Sequence, residues 1–479
     1  LESLFPEMQV KSFMIFRVTR NASIQNDDED SEDLRELVKE DIKERRLAPL
    51  VRLEYQSSGD PWILNFLLDE LELKNESVYP MDVLANYCSL SRLSDINLNN
   101  ERYWKFPYQP IDDFQAEEDK EFDIFSVLRK KDVLVHFPYQ SFHNSIESFI
   151  ESACNDSKVR AIKVVLYRTD TDGRIIKSLI RAVENKKQVA CIIELKARFD
   201  EEKNIHWASK LEEMGIHVTY GVLGLKTHAK LVMVVRDDHD GLRTYVNVGT
   251  GNLNSQTSKL YTDLSLFTSD KEITKEVIEL FNYLTGRSLK KNYKNILVAP
   301  FTMREKFNEL IKNESYVAKR GKKARIIAKM NSLEDPEIIE NLYNASQAGV
   351  KIDLLVRGFC CLRPGIKNLS QNIRVYSVVG RLLEHSRIYH FSNGQEKDYN
   401  GSFFIGSADL MHRNLNDRVE VIAPVKDKEI KKYLLRYLKL CLNDNRHLWE
   451  LDGETGLYKQ RVDNKNPVTG QLEILKGHL

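Results

Sequence analysis

The strongest constraint on the fold is an internal repeat in the second part of the chain. Each copy contains a histidine, a glycine 21 residues after it and a carboxylate 35 residues after it: His228, Gly249 and Asp263 in the first copy, and His385, Gly406 and Glu420 in the second. Two matching spacings within one chain indicate a duplicated unit rather than a coincidence. The sequence therefore predicts two copies of one arrangement of strands and helices.

The segments around these residues alternate between apolar strands and amphipathic helices. The strands are predicted at 161–166, 189–195 and 216–220 in the first copy and at 324–328, 351–356 and 373–378 in the second. This alternation predicts two α/β units with largely parallel sheets. In such sheets functional groups gather beyond the carboxyl ends of the strands. Four basic residues follow the predicted strands: Arg168, Arg198, Lys329 and Arg357.

In both copies the histidine is followed two residues later by a basic residue. The pairs are His228 with Lys230 and His385 with Arg387. On a strand, side chains at this spacing point to one face. The imidazole can act as a nucleophile or an acid, and the neighbouring cation can hold a phosphate oxygen. Two such histidines facing each other would suit a phosphoryl-transfer site.

Two further features of each copy fit this chemistry. The carboxylate 35 residues after the histidine, Asp263 or Glu420, could accept the second imidazole N–H and fix the tautomer. The Gly-rich turn that begins at Gly249 or Gly406 can bring backbone N–H groups close to the same anion. We therefore expect one anion site built from both copies.

Composition excludes several other classes of protein. The 479 residues carry 71 basic and 71 acidic side chains, which argues against a protein whose whole surface binds nucleic acid but allows one basic channel. The six cysteines have no zinc-site spacing. No apolar run approaches the length of a membrane span and no signal peptide is visible. A cytoplasmic protein is expected.

The motifs resemble those of a known family. A histidine–x–lysine followed by a Gly-[Ser/Thr]-x-[Asn/Asp] turn, with a near copy later in the chain, resembles the phospholipase D superfamily. Longer strings are similar to the histidine-phosphorylating polyphosphate kinase family: LYR (166–168), ELKARFDEEKNIHWA (194–208), GLKTHAKL (224–231), GTGNLN (249–254), LYTDLSLFT (260–268), LLVRGFC (354–360), LEHSRIY (383–389) and DRVEV (417–421). The resemblance covers almost the whole chain and lacks the N-terminal domain of that family.

The resemblance implies a division into three domains. Residues 1–114 would be the partial α+β middle domain of the family, in which strands are predicted at 13–19 and 50–55. Residues 115–295 and 296–479 would be two tandem phospholipase D-like α/β domains, the second with a C-terminal tail. The expected fold class is therefore α/β.

The resemblance also implies a reaction. His228 would become phosphorylated by ATP and pass the phosphoryl group reversibly to the end of a polyphosphate chain. His385 would assist as a general acid or phosphate ligand. Tyr261 and Arg357 match ATP-contacting positions, and Lys230 and Arg387 are of the residue type that stabilises a transferring phosphoryl group.

Mg²⁺ is the cofactor that the resemblance implies. Arg168 and Arg198 would bracket the phosphoryl group and its Mg²⁺. Because an arginine is always cationic, any link between these residues and the metal must run through phosphate oxygens or water.

Two other functions stay open from the residues alone. A phospholipase D-type phosphodiesterase or nuclease would share the fold and both histidines, but Val235 replaces the motif's aspartate and Arg387 replaces its second lysine. The third hypothesis is a non-enzymatic scaffold that binds polyanions. The basic segment 287–325 is read as a solvated linker face, with a wall that guides polyphosphate as the alternative.

Expected partners follow from the same resemblance. They are ATP or ADP and inorganic polyphosphate, without nucleic acid and without a transmembrane segment. A homo-oligomer is expected, located in the cytoplasm, with a peripheral position at the inner membrane as an alternative.

Overall fold

The computed structural model describes residues 9–21, 34–44, 47–82, 87–96, 108–114, 123–167, 173–197 and 200–477. The chain divides into two compact units, residues 1–105 and residues 106–479. Within the described residues, no helix has the length and apolar character needed to cross a membrane.

Among its described residues, the first unit contains a three-stranded sheet and two α-helices. Its elements are β1 (Phe16–Arg20), α1 (Leu34–Glu44), β2 (Leu50–Gln56), α2 (Pro61–Glu70) and β3 (Val78–Met81). Strand β2 lies in the centre, antiparallel to β1 and parallel to β3. Helix α2 begins at Asp60–Pro61, where the Asp60 side chain accepts a hydrogen bond from the N–H of Trp62 at 2.9 Å. Both strands predicted in this unit are confirmed.

The first repeat of the second unit is built on one sheet. Its elements are α3 (Ile124–Lys130), β4 (Val133–Phe137), α4 (Ser148–Asn155), β5 (Val159–Leu166), α5 (Arg174–Glu184), β6 (Gln188–Ile193), α6 (Glu201–Glu213), β7 (His217–Thr219), β8 (Lys226–Thr227), β9 (Leu231–Asp238), β10 (Gly241–Gly249), β11 (Tyr261–Thr268) and α7 (Lys271–Leu284).

The second repeat follows the same plan and adds a C-terminal extension. Its elements are β12 (Leu297–Ala299), α8 (Met303–Lys319), β13 (Arg325–Met330), α9 (Pro336–Gln347), β14 (Lys351–Val356), β15 (Ile373–Val378), β16 (Leu383–Glu384), β17 (Ile388–Phe391), β18 (Ser402–Gly406), α10 (His412–Asn416), β19 (Arg418–Val425), α11 (Lys428–Asn443), β20 (Leu448–Leu451), β21 (Tyr458–Gln460) and α12 (Gly470–Leu475).

The strand orders confirm the duplication. The first sheet runs β4-β11-β10-β9-β5-β6-β7 and the second runs β12-β19-β18-β17-β13-β14-β15. Helices α7 and α11 also start alike, because Asp270 and Asp427 each accept hydrogen bonds from two N–H groups of the following turn. The α/β fold class, with two tandem domains, is therefore confirmed.

The expectation of largely parallel sheets is wrong for half of each sheet. Strands β5, β6 and β7 are parallel, but β9, β10, β11 and β4 are antiparallel to their neighbours. The physical reason is local: β9 and β10 are joined by a tight hairpin at Asp238–Gly241, where Gly241 takes a φ of 107°. A hairpin of this length can only join antiparallel strands.

The two repeats exchange a short strand. Strand β8 belongs to the first repeat but pairs in parallel with β19 of the second, through Lys226–Arg418 and Thr227–Val419. Strand β16 belongs to the second repeat but pairs in parallel with β11 of the first. The chain therefore crosses between the sheets twice, and each crossing is followed by one of the repeat histidines.

Candidate active site

Both histidines lie immediately after an exchanged strand. His228 follows β8 and donates its backbone N–H to the carbonyl of Val419 at 2.9 Å. His385 follows β16 and donates its backbone N–H to the carbonyl of Thr262 at 3.3 Å. The expectation that each histidine lies on a strand is therefore wrong, since both occupy the short connection that leads into the next strand.

Each imidazole is bonded to a carboxylate from the other repeat. Nδ1 of His228 lies 2.9 Å from Oε2 of Glu420, and Nδ1 of His385 lies 2.9 Å from both oxygens of Asp263. The sequence spacing had paired each histidine with the carboxylate of its own copy, which is wrong. The strand exchange is the reason, because β8 lies beside the strand that carries Glu420 and β16 lies beside the strand that carries Asp263.

Burial determines the protonation of the first pair, His228 and Glu420. Glu420 is fully buried and His228 is 14% exposed. Burial lowers the pKa of His228 well below its ordinary value, and the nearby cations Lys230 and Arg418 act in the same direction. Burial raises the pKa of Glu420 to about 7, opposed by Lys230. A neutral His228 therefore donates its Nδ1–H to Glu420 and leaves Nε2 with a lone pair.

In the second pair, the position of the Asp263 carboxylate depends on Thr250 and Gly251. Thr250 donates its hydroxyl to Oδ1 of Asp263 at 2.6 Å. A Cβ on Gly251 would lie 2.2 Å from Oδ2 of Asp263, so only glycine leaves room for the carboxylate. Burial alone would raise the pKa of Asp263, but His385 and Thr250 hold that pKa below its ordinary value. Asp263 is therefore an ionised acceptor for His385.

Lys230 lies beneath the first histidine. It is 2% exposed and its ammonium donates to the backbone carbonyl of His228. The ring of Tyr167 lies 4.9 Å from the Lys230 ammonium and 5.2 Å from the imidazole of His228, perpendicular to it. Burial lowers the pKa of Lys230 to about 7, with Glu420 opposing. Its charge therefore changes near neutral pH.

Arg387 occupies the equivalent position under the second histidine. Its guanidinium makes a two-point contact with Asp409, with Nε–Oδ1 at 3.2 Å and Nη2–Oδ2 at 3.1 Å. Its Nη1 donates to the carbonyls of Thr250 and His385 and lies 3.1 Å from Nε2 of His385. Two charged side chains therefore hold His385: Asp263 contacts its imidazole, and Arg387 donates to its backbone carbonyl.

Three N–H groups of the Gly-rich turns are engaged within the sheets and do not face an anion. The N–H groups of Gly249, Thr250 and Ser407 donate to the carbonyls of Lys230, Leu264 and Val421, each at 2.9 Å. These three N–H groups are therefore engaged in hydrogen bonds between strands. The small residues instead allow close approach, as at Gly251 beside Asp263.

Of the ATP-contacting candidates, Tyr261 lies beside His385, and Arg357 is linked to the His385 backbone through Asn331. The ring of Tyr261 is 5.3 Å from the imidazole of His385, and Arg357 follows β14 and donates its Nε–H to Asn331 at 2.9 Å. Burial lowers the pKa of Arg357, as does the charge of Arg387. The remaining predicted arginines, Arg168 and Arg198, lie outside the described residues.

Sequence reasoning missed four residues of this site. They are Tyr167, Asp409, Arg418 and Asn331, which contact or face the histidines and their neighbours. A signal was available for Asp409, because it is the last residue of the Gly-Ser-Ala-Asp turn, and for Tyr167 within the LYR string. Arg418, 3.8 Å from Glu420, lies within the DRVEV string, whereas Asn331, which donates to the carbonyl of His385, carries no comparable pattern.

The described residues do not form a protein-made cation site. Within the ranges that the structure describes, no group of three histidine, cysteine, aspartate or glutamate residues is placed to hold a metal ion. The carboxylates of the site are each committed: Asp263 to His385, Glu420 to His228 and Asp409 to Arg387. Among the described residues, the carboxylates of this site thus serve to position side chains.

Comparison with known protein families gives three matches along the chain. Residues 1–94 match the polyphosphate kinase middle domain, residues 123–290 match polyphosphate kinase C-terminal domain 1 and residues 296–471 match polyphosphate kinase C-terminal domain 2. The two C-terminal matches coincide with the two repeats.

Relatives with high similarity carry the same description. The chain is 47% identical to a polyphosphate kinase of Synechocystis over 96% of its own length and 64% of the relative. It is 43% identical to a polyphosphate kinase of Thermosynechococcus vestitus over 99% of its length and 66% of the relative. The chain thus spans slightly under two thirds of these curated relatives.

A solved structure supports the fold. The crystal structure of a polyphosphate kinase from Porphyromonas gingivalis superposes with a TM-score of 0.82 at 29% sequence identity. The superposition covers 100% of this chain and 68% of the other.

Proposed function

The chain belongs to the polyphosphate kinase family, and from that premise we propose that it transfers the γ-phosphate of ATP reversibly to the end of a polyphosphate chain through a phosphohistidine at His228.

One observation carries the choice of nucleophile. Glu420 holds Nδ1 of His228 at 2.9 Å, and no described residue is bonded to Nε2 of that ring. In His385, by contrast, Nη1 of Arg387 lies 3.1 Å from Nε2. A free, neutral nitrogen is the group that can attack phosphorus, so the local geometry favours His228 over its repeat partner.

The reaction would proceed in two displacements. The Nε2 lone pair of His228 forms a bond to the γ-phosphorus, while the bond between that phosphorus and the bridging β–γ oxygen breaks and ADP leaves. A terminal oxygen of polyphosphate then attacks the same phosphorus and the P–N bond returns its electrons to Nε2. Glu420 stabilises the ring as it becomes positively charged, in the way the acidic member of a triad does.

Positive charge around the two histidines would stabilise the transferring group. Lys230, Arg357 and Arg387 lie within this site, and we propose that Arg168 and Arg198 complete it. Tyr261, beside His385, would contact ATP. His385 would protonate or bind a phosphate oxygen from the side opposite His228.

Mg²⁺ would enter this site with the substrate. Because the described carboxylates are committed to His228, His385 and Arg387, we propose that the ion is held by phosphate oxygens and water, with Arg168 and Arg198 nearby. When bound, it would neutralise part of the phosphate charge.

From membership of the same family, we propose that the chain divides into domains at 1–114, 115–295 and 296–479. We also propose that the protein is a homo-oligomer in the cytoplasm, with peripheral attachment to the inner membrane as the alternative.

Turnover tests the proposed function. Purified protein is incubated with ATP and Mg²⁺, and the products are separated by size; we expect phosphate chains and ADP, with ATP formed when ADP and polyphosphate are supplied instead. His228→Asn should abolish both directions. Hydrolysis of bis(p-nitrophenyl) phosphate without nucleotide, in place of these products, would select a phosphodiesterase. Salt-sensitive polyphosphate binding without turnover would select a scaffold.

A further inference from the structure

A second basic cavity lies in the first repeat, away from the histidines. It has a volume of about 430 Å³, and its wall includes Lys163, Lys187, His217 and Arg287. Lys187 and His217 lie at the beginnings of β6 and β7, whereas Tyr167 beside His228 follows the end of β5. The cavity and the histidines are therefore at opposite ends of the parallel strands.

The charges of this cavity are unbalanced. Its wall contains no carboxylate among the described residues. Lys163 donates to the side-chain oxygen of Asn282 at 3.3 Å, and Lys187 donates to the backbone carbonyls of Asp156 and Val159. The nearby carboxylate of Asp156 is engaged by Nε of Arg236 at 2.7 Å. Lys163 thus has a neutral acceptor only, and Lys187 shares its nearby carboxylate, Asp156, with Arg236.

The basic groups also repel one another. Burial lowers the pKa of Lys163, and the charge of Arg287 lowers it further. Clustered cations in a half-buried cavity cost free energy that a bound anion would recover.

The fold itself does not require a lysine at this position. Val164 pairs with Val232, four residues after His228, and Ala328 pairs with Tyr389, four residues after His385. Lys163 therefore corresponds to Ile327 of the second repeat, which is fully buried in an apolar core. The first repeat carries a charge where the same scaffold is stable with a hydrocarbon.

We propose that this cavity is a second anion site that binds a short phosphate chain through Lys163, Lys187, His217 and Arg287. Two sources have the same chemistry, a segment of polyphosphate and the triphosphate of a nucleotide. The site does not depend on the chemistry at His228.

Calorimetric titration with tripolyphosphate at 0.15 M salt tests the site. The double variant Lys163→Ile/Arg287→Gln should lose one class of binding sites or bind there at least roughly 10-fold more weakly, as expected for removing charge-assisted contacts. A matched control, Lys351→Gln/Arg320→Gln, removes two exposed cations of the second repeat and should bind like the wild type. Equal numbers and affinities of sites in all three proteins would overturn the proposal.

A single variant and a competition experiment extend this test. If Lys163→Ile fails to fold, Arg287→Gln alone changes an exposed side chain and should still weaken the site. Competition by ATP and by long polyphosphate distinguishes the sources, since the ligand that displaces tripolyphosphate at lower concentration is the natural one. Normal phosphorylation of His228 in the double variant separates this site from the catalytic centre; joint loss of binding and phosphorylation in a folded variant would contradict it.

Discussion

Nδ1 of His228 lies 2.9 Å from Oε2 of Glu420, although 192 residues separate them in the chain. The reciprocal contact joins His385 to Asp263 across 122 residues. Neither repeat can therefore orient its own histidine, and the site exists only when both repeats are folded and have exchanged β8 and β16.

Glu420→Gln should slow phosphorylation of His228 by roughly 10²- to 10⁴-fold, because a neutral amide does not stabilise the ring as it becomes positively charged. Rapid-quench measurement with labelled ATP gives the rate. Asp263→Asn is the matched control in the other pair, and its effect on this first step should be smaller. Equal losses in both variants would contradict the asymmetry that we assign to the two histidines.

Affinity for ATP should fall as pH rises through neutrality. Burial lowers the pKa of Lys230 from 10.5 to about 7, so this group is charged below pH 7 and neutral above it. The pKa of Glu420, raised to about 7, shifts the charge of the site in the same direction. We expect KM for ATP to increase between pH 6 and pH 8, and to increase less in Lys230→Arg, which stays cationic.

The second repeat already accommodates an arginine at the position of Lys230, namely Arg387. The substitution is therefore compatible with the scaffold. An identical pH dependence of KM in Lys230→Arg and the wild type would exclude Lys230 as the titrating group.

Gly251→Ala should displace the carboxylate of Asp263, because the new Cβ would lie 2.2 Å from Oδ2. We expect a loss of about 1–3 kcal/mol in the free energy of unfolding, as for other overpacked sites. Gly470→Ala is the control, since its nearest neighbours would lie 3.4 Å away. Urea unfolding of both variants makes the comparison, and equal midpoints would show that the site tolerates the added methyl group.

His136 should make the protein less stable in mild acid. Burial lowers its pKa to about 3, so between pH 6.5 and pH 3 the unfolded chain binds a proton that the folded chain does not. Stability is therefore full above pH 6.5 and declines below it, by up to roughly 1.4 kcal/mol per pH unit for one group. Urea unfolding at pH 7.5 and pH 5.5 measures the decline.

A His136→Gln variant provides the comparison. His136 contacts the hydroxyl of Tyr433 at 2.8 Å, so the variant should be less stable at pH 7.5 but should lose less stability on acidification. A parallel decline in both proteins would assign the effect to other groups, such as the buried His390.

Much of the architecture could be predicted from the sequence. The spacing of His228 and His385 to their glycines and carboxylates indicated the duplication, and apolar runs marked strands such as β5 and β15 within a few residues. Residue spacings and apolar runs are local features, so they can be recognised in the sequence alone.

The pairing of the side chains could not be predicted in the same way. Spacing relates His228 to Asp263, but the contact with Glu420 depends on a strand of two residues, β8, joining the other sheet. An exchange of this kind depends on tertiary packing and leaves no periodicity in the sequence. The burial of Lys230 and Arg387 also depends on tertiary packing, although their partners Tyr167 and Asp409 lie within strings that the sequence marks.

The position of the phosphoryl group identifies the nitrogen that attacks ATP. The protein is phosphorylated with ATP, digested under alkaline conditions that preserve phosphohistidine, and analysed by mass spectrometry and ³¹P NMR. Because Glu420 holds Nδ1 of His228, we predict phosphorus on Nε2 of His228. Phosphorus on Nδ1 of that ring, or on His385, would rule out Nε2 of His228 as the nucleophile.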